Sequence, residues 1–283
     1  MRYRYLGTGA AEGMPAAFCA CPVCRRSRKE GGKSLRMRSC ALLDDRVLID
    51  LSPDIHAQSL RFGLNLSKIR AVVFTHAHPD HEDLYTLQMR GTASCSIYPD
   101  VPEEENVLHL YGERWVRARF EQVLREERVL ASRFCFHEVK PFEPFEAGNY
   151  TFYPLKANHR PTQVEECLIY AVSDGQTAML YANDTGKLSE ENDVYLESQG
   201  FCFSVVSMDC ARGLLPGDGH MGFQECLSLR ERLSSHHLVT EKTRYLLNHL
   251  SHMNDMTHSE WEAFAAPYGM EIAYDGLEVD TCL

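Results

Sequence analysis

An apolar run, Ile69 to Phe74, gives way to His76-Ala77-His78-Pro79-Asp80-His81, and Glu82 to Met89 then reads as a helix. The run reads as a buried strand, so three imidazoles and a carboxylate crowd into one strand-to-helix loop. His76 and His78 are two residues apart, and an extended backbone projects both side chains the same way. Pro79 fixes its own φ and keeps His78 out of the helical region, which holds the pair extended. Asp80 and His81 follow where the chain turns, and they face a point beside the one the first pair addresses. Burying this cluster without a metal is costly. Imidazole nitrogens and carboxylate oxygens suit a borderline divalent ion such as Zn²⁺, Mn²⁺ or Fe²⁺. Four candidate ligands in six residues exceed what one open catalytic ion takes from one loop, so two ions are expected.

Later segments repeat the placement. The strand Tyr150 to Leu155 leads into His159, just before Arg160-Pro161. Cys167 to Ser173 and Thr177 to Tyr181 form a hairpin across Asp174-Gly175, and its second strand runs on to Asn183-Asp184. Asp184 caps the helix Ser189 to Gln199 or, given a dinuclear centre, bridges the two ions. The strand Phe203 to Met208 ends at Asp209, and a glycine-rich loop, Gly213 to Gly219, delivers His220 before the helix Phe223 to Leu233. Thr243 to Leu247 ends in Asn248-His249-Leu250-Ser251-His252. Asp50, closing the strand Arg46 to Asp50, either accepts from a metal-bound imidazole or caps a helix before Pro53. Ligands at the ends of separate strands imply one domain, residues 1–283, whose sheet edges converge on one site. Alternating strand clusters and helices indicate a layered α/β sandwich.

The remaining stretches set bounds. No run of about 18 apolar residues occurs, and Met1 to Leu6 lacks a secretory h-region, which points to the cytoplasm. A net charge of −11 argues against a general nucleic-acid binder. Eleven cysteines without a secretory signal argue against a disulfide framework. Cys19, Cys21 and Cys24 have metal-site spacing in a reducing compartment, with redox chemistry as the competitor; a fourth ligand must come from elsewhere. Thr92 to Phe136 reads as a variable insertion, with strands at Ser94 to Tyr98 and Asn106 to Tyr111 and a charged helix at Arg114 to Glu127. His109 and His137 read as structural, and His56, His236, His237 and His258 take no role. A short hairpin through Asp275-Gly276 is expected near the end.

These residues resemble the metallo-β-lactamase fold hydrolases, an αββα four-layer sandwich. Leu6-Gly7-Thr8-Gly9, the CxCxxC at Cys19 to Cys24, Met208-Asp209-Cys210 and His249-Leu250-Ser251-His252 look like the phosphoribosyl 1,2-cyclic phosphate phosphodiesterases of the carbon–phosphorus lyase pathway. The resemblance implies that His76, His78 and His159 hold one ion, that Asp80, His81 and His249 hold the other, and that Asp184 bridges them. It implies a structural zinc on Cys19, Cys21, Cys24 and His252, and a catalytic role for His220. The expected reaction is hydrolysis of a small cyclic phosphodiester of the phosphoribosyl or 2′,3′-cyclic nucleotide type, in which two ions would acidify a shared water to the attacking hydroxide. Arg160, Arg212 and Lys187 are candidates for a second phosphate. A lactonase or thioesterase of the same fold, an RNA-processing nuclease and an inactive binding protein are the rivals. The expected partner is a small phosphodiester, without membrane or nucleic acid, and a homodimer is left open.

Overall fold

A computed structural model describes residues 1–159, 166–217 and 219–281, so Arg160 lies outside the described residues. The chain opens with β1 (Arg2–Gly7), whose Tyr3 and Tyr5 point inward while Arg2 faces solvent, the alternation of a half-buried strand. Helix α1 (Pro22–Glu30) follows the cysteine loop, with Pro22 in its first turn, where the missing N–H costs nothing. The hairpin β2 (Cys40–Leu43) and β3 (Val47–Ile49) turns through Asp44 and Asp45, both at positive φ. Helix α2 (Ile55–Phe62) stops at Gly63, which takes the left-handed conformation. Strand β4 (Ala71–Val73) carries the histidine loop, and α3 (Leu84–Gly91) leaves it, capped by Asp83.

The segment read as a variable insertion supplies framework as well. It holds β5 (Leu108–Gly112), α4 (Arg114–Val123) and much of β6 (Phe134–Glu138). The strand expected at Ser94 to Tyr98 does not form; those residues lie in turns and irregular backbone. The cause is local: Cys95 and Ser96 bond their backbone N–H groups back to Thr92 O, which leaves no donor row for a ladder.

The second half gives β7 (Phe145–Ala147), β8 (Tyr150–Lys156), β9 (Leu168–Ser173), β10 (Ala178–Ala182) and α5 (Glu190–Gln199). It continues with β11 (Phe203–Asp209), α6 (Phe223–Ser235), β12 (Val239–Asn248), α7 (His258–Ala265), β13 (Glu271–Ile272) and β14 (Glu278–Asp280). No hairpin joins the last two strands. β13 pairs with β12 in one sheet and β14 with β1 in the other, so Asp275-Gly276 carries the chain between sheets.

Two seven-stranded sheets result, ordered β14-β1-β2-β3-β4-β5-β6 and β13-β12-β11-β10-β9-β8-β7. Tyr3, Tyr5, Ile49, Val73, Phe152, Tyr170, Tyr181 and Leu246 share the buried layer between them. Leu48, Val72, Leu110, Val116 and Phe120 bury the first sheet's outer face under α2, α3 and α4. Leu180, Phe203, Met208, Phe223, Leu229 and Trp261 bury the second sheet's outer face under α5, α6 and α7. These are the four layers of an αββα sandwich. β3 to β6 are parallel in one sheet and β10 to β12 in the other. β8 runs the same way as β10, because each is antiparallel to β9. The carboxyl ends of the ligand-bearing strands therefore gather at one end of the sandwich, where α/β sheets bind ligands.

Among the described residues no helix is long and apolar enough to cross a membrane.

Candidate metal centre

Outside the hairpin turn at Asp44 and Asp45, three strands among the described residues are followed by a non-glycine residue at positive φ: Asp50 (63°) after β3, Asp184 (50°) after β10 and His249 (55°) after β12. Left-handed backbone is uncommon outside glycine, though Asp and His tolerate it best, and it clusters where a site must aim a side chain. Here it swings three ligand-type groups off the strand ends.

The two ends of the loop after β4 do different jobs. His76 and His78, with ring centroids 4.5 Å apart, meet His159 from beyond β8, whose ring lies 5.1 and 5.2 Å from theirs. His159 Nε2 comes within 3.4 Å of His78 Nδ1, and its Nδ1 lies 3.1 Å from the Gly219 carbonyl. Beside this trio, His81 Nε2 lies 3.1 Å from Asp80 Oδ2 and 3.2 Å from Asp184 Oδ2. His249 Nε2 lies 3.1 Å from the same Asp184 oxygen. His76 also faces His81, at 4.3 Å, so the two groups of ligands adjoin. All seven residues expected at the dinuclear centre are thus brought together.

Asp184 does not cap α5; Ser189 does, accepting from Asn192 N–H. Asp50 likewise leaves α2 alone. It accepts from Thr75 N–H (2.8 Å), from Thr75 Oγ1 and from His81 Nδ1 (2.8 Å), which fixes the His81 tautomer so that Nε2 faces inward.

The donor set fits divalent cations. His76 Nε2, His81 Nε2, His249 Nε2 and Asp184 Oδ2 are buried and make no aligned hydrogen bond, although His81 and His249 lie at ion-pair distance from Asp184. Four inward-facing ligand atoms without an aligned hydrogen bond, in one buried cluster, are what a cation would satisfy. The electrostatics agree. Burial raises Asp184 to about 7, only partly offset by His81 and His220. Burial opposes a charge on His81, yet Asp184, Asp80 and Asp50 together hold its pKa well above the usual value. Burial and neighbouring histidines push His76 and His249 well below theirs, which keeps both neutral and ready to ligate.

His220 stands at the open side. Its ring lies 4.7 Å from that of His159 and stacks over that of His249 at 5.5 Å. Its Nδ1 is 2.8 Å from Asp209 Oδ2, at the end of β11. Burial works against its charge, but the Asp209 hydrogen bond and the Asp209 and Asp184 charges lift its pKa to about 9. Asp209 also lies 3.6 Å from His249 Nδ1 and accepts from Ala211 N–H at 2.8 Å. The sequence reading gave Asp209 no role. Its position at a strand end, in line with Asp50 and Asp184, was the available signal. Of the candidates for a second phosphate, Lys187 is exposed and Arg212 directs Nε to Pro216 O, which braces the loop carrying His220.

Cys19, Cys21, Cys24 and His252 form a separate group, with all four ligand atoms within 4.8 Å of one another. His252 Nδ1 lies 3.3 Å from Cys19 Sγ and 3.5 Å from Cys21 Sγ. Tetrahedral zinc bonds of about 2.0–2.3 Å place neighbouring ligands roughly 3.3–3.8 Å apart, so the set fits a closed structural site. Burial raises Cys21, but hydrogen bonds from His252 and the nearby backbone and thiols bring it down to about 6, whereas burial drives Cys24 up to about 12. Glu12 Oε1, 3.6 Å from His252 Nε2, steadies the imidazole from behind. The basic stretch after the cysteines braces this loop, through Arg28 to the Cys19 and Ala16 carbonyls.

Comparison with known proteins agrees with this architecture. A diphosphatase of the PhnP family has a crystal structure that superposes with a TM-score of 0.75 at 24% identity, covering 99% of this chain and 97% of that one. An octanoyltransferase of Porphyromonas gingivalis is 28% identical over 287 residues, 98% of this chain and 51% of that protein. Coenzyme PQQ synthesis protein B of Methylobacterium radiotolerans is 36% identical over 94 residues, 29% of this chain and 31% of that protein. The chain thus spans about half the length of the first of these two relatives, and its match to the second covers about a third of that protein. The family model described as the beta-lactamase superfamily domain matches residues 45–249, from β3 through the last histidine of the cluster. The chain belongs to the beta-lactamase superfamily and carries the metallo-β-lactamase fold.

Proposed function

We propose that the protein is a metal-dependent hydrolase of small phosphodiesters, with a cyclic ribose phosphate or 2′,3′-cyclic nucleotide as the substrate class. His76, His78 and His159 would hold one divalent ion and Asp80, His81 and His249 the other, with Asp184 between them. When bound, zinc or manganese ions supply Lewis acidity toward phosphoryl oxygens and lower the pKa of a water. The structural zinc would sit on Cys19, Cys21, Cys24 and His252, and unpaired cysteines suit a reducing compartment such as the cytoplasm.

The observation that carries the reading is the Asp209–His220 pair beside the histidine cluster. With Nδ1 engaged by Asp209, His220 presents Nε2 to a substrate. A protonated imidazole there binds an anionic phosphoryl group and donates a proton to the departing sugar oxygen. In the overall step water forms a new P–O bond and gives up a proton, one ester P–O bond breaks, the His220 proton goes to the leaving oxygen, and the proton released from water restores His220. His159, held through Gly219, and His249, held against Asp209, keep the floor of the site in place beneath it.

A carboxyl-ester or thioester hydrolase is the second reading, favoured by the likeness to an octanoyltransferase over nearly the whole of this chain. One experiment separates the two. Metal-loaded protein is given 2′,3′-cyclic nucleotides and, in parallel, an octanoyl thioester and a lactone. Ring opening of the cyclic phosphate that stops on chelation supports the phosphodiesterase; turnover of the acyl substrates alone replaces it with the second reading.

A further inference from the structure

A third group of ligand-type side chains lies away from both centres, on the edge of the first sheet. β5 and β6 are parallel neighbours, with His109 paired to Cys135 and Tyr111 to His137. Paired residues on adjacent strands point to the same face, and so do residues two apart on one strand. His109, Cys135 and His137 therefore share a face by the register of the sheet itself. Their ligand atoms all lie within 4.8 Å of one another, and His109 Nδ1 is 2.9 Å from His137 Nε2.

The rings are held in place. Tyr111 stacks on His137 at 4.5 Å and 15°, and Phe145 of β7 stacks on the far side of Tyr111 at 4.9 Å and 13°. Preorganised imidazoles lose little freedom on ligating a cation. All three ligand residues are half-buried, and β6 is the outermost strand, so the group is reachable from solvent.

We propose that His109, Cys135 and His137 form an additional transition-metal site that takes zinc or a similarly borderline cation. Two imidazoles and a thiolate exclude hard cations such as magnesium and calcium. Three protein ligands leave a fourth position for water or an outside donor, unlike the closed set at Cys19, Cys21, Cys24 and His252. Without a cation the two neutral imidazoles share one N–H in a hydrogen bond; on ligation that proton moves to the far nitrogen of its own ring, and the thiol proton of Cys135 is released to solvent. His109 pairs with Ala71 of β4, five residues before the first loop histidine, His76, about 16 Å along an extended chain, so this site is separate from the dinuclear centre.

The test reads Cys135 alone. Purified full-length protein is stripped of metal, titrated with zinc and treated with a maleimide, and alkylation at each cysteine is followed by peptide mass analysis. At zinc about ten times the dissociation constant roughly one tenth of the thiol stays free, so alkylation of Cys135 slows about tenfold. His109→Gln and His137→Gln each abolish that protection while Cys95, exposed and distant in sequence, reacts at one rate throughout. Cys135 reacting equally fast with and without zinc in the unaltered chain overturns the proposal. So does protection that survives both histidine substitutions. Neither result depends on metal at, or turnover by, the dinuclear centre.

Discussion

At the scale of single residues, two carboxylates set the state of two histidines. Asp50 accepts a hydrogen bond from His81 Nδ1–H and leaves Nε2 to face a cation, and Asp209 stabilises the charge on His220 that the proposed acid role requires. His220→Ala is expected to lower turnover by roughly 10²–10⁴ with metal content unchanged, measured by steady-state kinetics beside elemental analysis. The pH profile carries the sign. The active form of His220 is protonated, and its pKa is raised to about 9, so the rate falls as pH rises through that value. Bound cations repel the same proton and move this alkaline limb below 9. Asp209→Asn removes a stabilising charge and moves the limb to still lower pH. An unmoved limb in Asp209→Asn would detach Asp209 from His220 function.

Elements position these residues through close backbone contacts that tolerate little change. Gly7 ends β1 where a Cβ would fall 1.9 Å from the Arg38 carbonyl oxygen. Gly7→Ala must push β1 away from the chain entering β2, at a cost of about 1–3 kcal/mol or more, checked by denaturant unfolding. The loop after β1 is joined to the exit of β12 by Leu250 N–H to Thr8 O and Ala10 N–H to Leu250 O. His252, three residues after His249, ties that exit to the cysteine loop. Cys21→Ala is therefore expected to lose one zinc equivalent and lower the melting temperature before it changes the chemistry. Unchanged metal content and melting would reject the clamp. Much of this was legible in sequence, because hydrophobic runs ending in His or Asp mark strand ends whatever the packing. Ser94 to Tyr98 and the chain around Asp275-Gly276 were not. In the first, local turn bonds replace a ladder; in the second, two short strands join different sheets, and nothing local encodes which sheet a strand joins.

Across the whole molecule, one arrangement explains why residues far apart in sequence act together. Parallel order within each sheet puts the carboxyl ends of β4, β8, β10, β11 and β12 at one end of the sandwich. The ligand set was readable because each segment that carries it follows the end of a strand. Asp209 was passed over because its partner, His220, arrives from a loop eleven positions on, and sequence alone does not reveal that pairing. His109 and His137 read as structural for a similar reason: only the β5–β6 register brings them face to face. The account rests on His159, Asp184 and His249 meeting the loop after β4 around a pair of cations. Anomalous diffraction from crystals grown with zinc or manganese tests this directly. Two peaks about 3.5–4 Å apart are predicted, one among His76, His78 and His159, the other among Asp80, His81 and His249, with Asp184 touching both. A metal-loaded crystal with no peak between these side chains, or with Asp184 turned away from them, would contradict it.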